Sequence, residues 1–233
     1  VSEGPGLADS YARSRASPLG AITERFEERV VFDLAGPLRG RKVLDVGTGD
    51  GTYAIEAARR DAKITAIDVD PAMLAAARSR LESAAVSVAL REARAEALPF
   101  DDGAFDVVLA VTVLCFVPDA RGAVREMARV LTPGGRLVLG ELGRFSVWAA
   151  QRRVRGWLGS STWKRARFWS RRDLAQLARD AGLHVVETRG SIYYPPHDVA
   201  ARLGAPLEPL LTHLHAPGAA FLALAADKPE SRS

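Results

Sequence analysis

The stretch VLDVGTGDGTYAIEAA, Val43 to Ala58, sets Gly47, Gly49 and Gly51 at alternate positions between a short apolar run and a run with helical spacing. A strand that passes through a glycine loop into a helix N-terminus turns backbone N–H groups outward, where a ligand can approach the chain itself. It also constrains the neighbouring chain, because strand followed by helix is the repeating unit of a wound parallel sheet. The three glycines therefore predict an α/β fold and a binding loop at the end of its first strand.

The remainder of the 233 residues continues that unit. Ile22, Phe26, Val30 and Leu34 recur at four-residue steps and predict a helix over Ala21–Leu38. Strands are expected at Lys42–Val46, KITAID, VSVAL, FDVVLAV, RLVLGE, HVVET and AAFLALAAD. Helices are expected over Thr52–Arg60, from Pro71, over Ala120–Leu131 and at RRDLAQLARDAG, with a turn at TPGG. No repeat and no second domain is visible, so one domain over 1–227 is expected, with 228–233 as a disordered tail. The lone cysteine, Cys115, excludes an intrachain disulfide and a multi-thiolate metal site. His213 and His215 have no acidic or thiolate companion and read as structural, so no metal is expected. The sequence offers no run of about 18 uncharged apolar residues that could cross a bilayer. The opening VSEGPG has no signal-peptide pattern and reads as a processing remnant, which makes a cytoplasmic location the expectation.

The loop itself narrows the ligand. A dinucleotide fingerprint is G-x-G-x-x-G, whereas here Asp45 precedes the glycines and Asp50 lies among them at the helix entrance. Two carboxylates repel a pyrophosphate, which argues against a nicotinamide-dependent oxidoreductase and for a ligand that brings positive charge. The next strand ends in Asp68, placed where an acid accepts both hydroxyls of a ribose. The expected ligand is a nucleoside carrying a cation.

Four ordered motifs, VLDVGTGDG, AIDVDPAML, AEALPFDDGAFDVVLAV and EMARVLTPGGRLVLGE, together resemble the class I S-adenosylmethionine-dependent methyltransferases, in particular the branch with quinone-biosynthesis enzymes. The resemblance covers Arg41 to Glu141. It implies S-adenosyl-L-methionine as cofactor and a doubly wound α/β fold. The sheet would have seven strands in the order 3-2-1-4-5-7-6, strand 7 antiparallel, with helices on both faces. Carried over residue by residue, it places Asp45, Gly47, Thr48, Gly49 and Gly51 around the methionine moiety, Asp68 on the ribose and Val69 on the adenine face. The family's acid for the adenine amine is replaced by Arg94, which cannot accept that bond, so backbone at Ala95 or the carboxylate of Glu96 is expected to serve. Val111 and Thr112 would line the pocket near the sulfonium, with Cys115 and Phe116 beyond them on the substrate side. DSYARSRASPLG resembles the segment that folds over the cofactor, making 1–40 a helical lid segment with Tyr11 as its contact.

The acceptor side is less explicit. Cys115 follows an apolar strand and reads as a small buried residue rather than a nucleophile. His197, Tyr193 and Tyr194 are candidate proton acceptors because their loop faces the substrate side of this fold. Net charge is +4, yet nine Lys or Arg and no acid fall between Leu142 and Arg172, together with all four tryptophans. This window, 142–172, is expected to be the substrate-side insert, with Arg152, Arg155 and Trp157 meeting the acceptor. An amphipathic arc of Val147, Ala150, Val154, Trp157 and Leu158 would then close over the strand ends. A hydrophobic or anionic small molecule, lipid-like, quinone-like or aromatic, is the expected acceptor, with an anionic membrane surface as a further partner. RNA is the competing partner, since aromatics among cations also stack on bases. A protein that holds S-adenosylmethionine without turning it over is the non-catalytic alternative.

Overall fold

The computed structural model describes residues 17–230; Tyr11 and the expected lid residues before Ser17 lie outside the described residues. Helix α1 (Pro18–Ala35) starts where Ser17 Oγ accepts from the Gly20 amide at 3.0 Å. It stops at Gly36, whose φ of 73° closes the helix, and Pro37 disfavours helical backbone in the residue before it. The helix therefore lies three residues upstream of the expected Ala21–Leu38.

Strands β1 (Lys42–Val46), β2 (Lys63–Asp68), β3 (Ala89–Glu92), β4 (Phe105–Val111), β5 (Leu131–Leu142), β6 (His184–Ser191) and β7 (Phe221–Asp227) form one sheet in the order 3-2-1-4-5-7-6. Neighbours up to β5 run parallel, and β7 is antiparallel to both β5 and β6. Two strands differ from their expected bounds. VSVAL yields only its last two residues to β3, because the Val86 amide caps Leu81 O and Ala85 turns left-handed at φ 53°. TPGG does not precede β5 but bulges out of it: Phe105 pairs with Leu131 and Val107 with Arg136.

Between strands lie α2 (Thr52–Ala58), α3 (Pro71–Ser83), α4 (Ala120–Val130), α5 (Val147–Trp157), α6 (Ser161–Arg165), α7 (Arg171–Asp180), α8 (Asp198–Gly204) and α9 (Glu208–His213). Alternation along the strands divides the core. Leu44, Val108, Leu137, Leu139 and Leu224 pack with Met127 of α4 and Leu174 of α7, whereas Val43, Leu109, Val138 and Ala225 pack with Val30 and Val31 of α1 and Ala54 of α2. Arg136 fastens the edge of this second layer, donating to both oxygens of Asp227 at 2.7 and 2.9 Å and to Leu34 O at 3.1 Å. The tail expected from 228 onward is anchored at its first residue, where Lys228 Nζ donates to the carbonyls of Arg129 and Leu131. No described helix is long and apolar enough to cross a membrane.

The close approach of β5 to the Phe221 ring depends on Gly140, where a β-carbon would lie 2.5 Å from the ring and 3.1 Å from Val111 Cγ1. Gly140→Ala is expected to cost about 1–3 kcal/mol in urea unfolding. Phe221→Leu in the same chain should cost less than in the parent, which a double-mutant cycle measures.

Candidate functional site

The chain switches direction across the sheet between β1 and β4, and the crevice at their carboxyl ends is where an open α/β sheet takes its ligand. The glycine loop after β1 lies in it. Gly47 and Gly49 adopt φ of 68° and 57°, left-handed values that a side chain would strain. A β-carbon at Gly47 would meet Val113 Cγ2 at 2.4 Å, so this glycine lets the β1 loop touch the β4 loop; at Gly49 it would project into open space, on the face a ligand would approach. Asp68 binds the loop from the side: one oxygen accepts from the Gly49 amide at 2.8 Å, the other from the Asp70 amide at 2.9 Å. Each oxygen keeps lone-pair capacity for a hydroxyl. Val69, half-exposed, follows directly.

Asp45 lies buried beneath the loop, accepting from Thr48 Oγ1 at 2.6 Å, and burial pushes its carboxyl up to about 7. Asp50 is spent differently from expectation. It forms an ion pair with Arg80 of α3 at 2.8 Å, so its charge is neutralised within the protein rather than offered to a ligand. Asp45 and three glutamates of α1, Glu24, Glu27 and Glu28, instead act electrostatically on the buried Tyr53 hydroxyl and, with its burial, raise it well above its ordinary range. Burial pushes Glu27 and Glu28 up to about 7, Arg152 opposing the shift at Glu27. The Tyr53 hydroxyl is buried and has no hydrogen-bond partner among the described residues. A buried hydroxyl among carboxylates suits a ligand that carries ammonium and sulfonium charge, and these residues fit S-adenosylmethionine.

On the adenine side, Ala95 packs into the core and Glu96 pairs with Arg94 at 3.0 Å. Arg94, which cannot accept from an adenine amine, thus also occupies the one nearby carboxylate, and the polar groups left there are backbone.

After β4, Val111 is buried and Thr112 turns left-handed at φ 55°, a strained value for a β-branched residue. Glu141, wholly buried at the end of β5, holds the turn: its carboxylate accepts from the amides of Val113, Leu114 and Cys115 at 3.1, 2.7 and 3.1 Å. Burial pushes Glu141 up to about 8 against the pull of those amides. Sequence reading passed over it, although an acid ending the apolar run RLVLGE is the signal that marks it.

The acceptor-side expectations are largely redistributed. Cys115 is buried among Leu142, Ala149 and Phe168, and burial with Glu141 beside it raises its thiol well above the ordinary range, so it is neither a nucleophile nor a surface for substrate. Phe116 is exposed. His197 caps α8, its Nδ1 accepting from the Val199 amide. Tyr194 is buried, bonded to Thr23 at 3.1 Å and, through its carbonyl, to Trp148 Nε1 at 2.8 Å; burial pushes it up to about 12. Tyr193 packs against the core beside Arg171. Of the three, Tyr194 has its hydroxyl bonded to Thr23, the Tyr193 hydroxyl is buried with no hydrogen-bond partner among the described residues, and His197 is exposed with Nδ1 engaged at the cap. Of the basic insert, Arg155 and Trp157 face solvent, whereas Arg152 turns inward between the rings of Trp148 and Trp163, at 5.1 and 4.9 Å. Its charge lowers the carboxyl of Glu27 and the thiol of Cys115 against the effect of burial at each.

A model of the methyltransferase domain matches residues 44–139. The chain is 35% identical over 172 residues to a ubiquinone biosynthesis O-methyltransferase from Paracidovorax citrulli, a match covering 70% of this chain and 72% of that protein. It is 38% identical over 128 residues to an uncharacterised protein of Mycobacterium tuberculosis, covering 55% of this chain and 44% of that protein. The chain thus spans less than half the length of that relative. In structure it resembles a SAM-dependent methyltransferase from Thermotoga maritima, with a TM-score of 0.73 at 24% identity over 95% of this chain and 96% of that one. At that identity the likeness is one of fold.

Asp68→Ala removes an acceptor that also holds the glycine loop, and S-adenosylmethionine affinity is expected to fall about tenfold to a hundredfold in calorimetric titration. Asp68→Asn, which keeps one acceptor oxygen, should fall less. An unchanged affinity in both would place the nucleoside elsewhere.

Proposed function

Since the chain belongs to the class I S-adenosylmethionine-dependent methyltransferases, we propose that it transfers a methyl group to a hydroxyl of a flat, apolar small molecule bearing a negative charge. The observation that carries this reading is Arg152, on the inner face of α5 within 5.1 and 4.9 Å of two indole rings, its charge favouring the ionised form of Glu27. A guanidinium stacked on aromatic rings is partly ordered before an anion arrives, which lowers the ordering cost of binding. Indole rings and the exposed Phe116 supply apolar surface for the body of such a molecule. The similarity to a ubiquinone biosynthesis O-methyltransferase supports oxygen as the methylated atom.

S-adenosylmethionine supplies an activated methyl group on sulfur. The protein's work is to align the acceptor in line with it, exclude water and remove the acceptor's proton. Arg152 orients the acceptor through its anion. Glu27 takes the hydroxyl proton as the oxygen lone pair forms the new C–O bond and the S–C bond pair returns to sulfur. A carboxyl near 7 is matched to that task at neutral pH, unlike the tyrosines. The Glu141 turn, with Thr112 at its head, keeps the wall beside the methyl group fixed.

Screening acidic phenols and aromatic hydroxy acids for methyl label from S-adenosylmethionine identifies the acceptor; label in RNA alone, or in nothing, would overturn the reading. Because Glu27 must be ionised to act, kcat should rise with pH through about 7 and level off above it. Glu27→Gln is expected to lower kcat by about a hundredfold or more and flatten that rise, with S-adenosylmethionine affinity little changed. If the affinity collapses instead, Glu27 holds the cofactor's ammonium group. Arg152→Ala removes the cation that favours ionised Glu27, so KM for the acceptor should rise and the pH limb move upward.

A further inference from the structure

Helix α5 is amphipathic in the reverse of the expected sense. It docks through its small residues, Ala149 and Gly156, both buried, and a β-carbon at Gly156 would already crowd the Trp163 and Lys164 backbone at 3.1 Å. The arc expected to close over the strand ends faces solvent instead. Val147, Trp157 and Leu158 are 61, 84 and 82% exposed, and Phe145 just before the helix is 73% exposed. Val154 and Ala150 complete the stripe on the same side. Exposed Arg153, Arg155, Lys164, Arg165 and Arg167 lie in the same stretch of chain, and no acid occurs from Leu142 to Arg172, though Asp173 just beyond pairs with Arg144.

So much apolar surface on the outer face of one helix is more than scattered exposed side chains explain.

We propose that this face docks on a bilayer rich in anionic phospholipid, with α5 lying in the headgroup plane and Phe145, Val147, Trp157 and Leu158 entering the acyl boundary. An apolar stripe edged by cations, with tryptophan at its rim, is the composition that binds such an interface, and the cations meet the lipid phosphates. RNA would also satisfy the cations, but aliphatic Val147, Val154 and Leu158 have no role in stacking on bases, whereas hydrocarbon accepts them. The docking stands on the outer face of α5 alone. What rests on the proposed function is its consequence: the inner face of the same helix carries Arg152, so a lipophilic acid leaving the bilayer meets the acceptor site across one helix.

The full chain would be sedimented with phosphatidylcholine vesicles and with vesicles that also contain phosphatidylglycerol. Binding is expected only to the second, weakening as salt rises. Trp157→Ser/Leu158→Ser and, separately, Arg155→Gln/Lys164→Gln should each lower partitioning about tenfold or more, while circular dichroism and S-adenosylmethionine titration stay as in the parent. Wild-type protein that remains in the supernatant, variants that partition like the parent, or retention on RNA without vesicle binding would overturn the docking. Failure to find a methyl acceptor would count against the proposed function and leave the vesicle result standing.

Discussion

Every strand of a parallel sheet ends by sending amide groups beyond the last ladder bond, and a crevice at those ends forbids covering them with more sheet. In this chain carboxylates take them. Asp68 collects the amides of Gly49 and Asp70, Glu141 those of Val113, Leu114 and Cys115, and Glu208 those of Ile192 and Tyr193 with Ser191 Oγ nearby. Each acid sits under a turn that contains a left-handed residue, Gly49, Thr112 or Ile192. Two of these are β-branched, and such conformations persist only where their surroundings over-determine them. Bonds from neutral amides to a carboxylate are stronger than neutral pairs and offset part of the strain, although at Glu141 burial outweighs them and pushes the carboxyl up to about 8. The three turns are therefore held for one shared reason.

That solution makes the site acidic, and the acidity selects the ligand. Asp45, Glu27 and Glu28 are all pushed up to about 7, so the folded protein without ligand resists ionising them. Since their folded values lie above the unfolded ones, stability is fullest below the unfolded values and declines as pH rises through about 7. A ligand bearing sulfonium and ammonium groups would relieve that opposition at a carboxyl it approaches, Asp45 beneath the glycine loop above all. Arg152 supplies the opposing charge at Glu27 and Cys115. Under the proposed function, the crevice would present carboxylates to the cation donor and a guanidinium to the acceptor.

What the sequence revealed was whatever obeys a local rule. Gly47, Gly49 and Gly51 announce a backbone conformation, Asp68 sits at a fixed remove from them, and the strand order follows from ordered motifs and alternation. Glu27 was invisible because a glutamate between Glu24 and Glu28 looks like one solvated helix face, and only the fold leaves it partly covered and desolvated. His197 and Tyr194 looked chemical because their types are reactive, yet the fold uses one as a helix cap and the other as a tie between α1 and α5. Asp50 carried an argument about ligand charge that held in direction but rested on the wrong residue, because Arg80 is thirty positions away in sequence.

The reversal of α5 has the same root. A hydrophobic arc is read as core because burial of apolar area is the usual driving force, but the rule assumes a partner surface with room for large side chains. Here α6 follows after a three-residue link and crosses so near that only Gly156 fits, while Ala149 fits against Leu142 and Phe168. Close backbone approach through small residues then outweighs the larger arc, which is left outward. A helix that spends its small residues on the protein and keeps Trp157 and Leu158 for the exterior has a second surface to satisfy, and Arg152 on its inner side ties that surface to the crevice. Any force that tilts α5 moves the guanidinium stacked on Trp148 and Trp163, so under the proposed function the position of the helix and the orientation of the acceptor would be one variable.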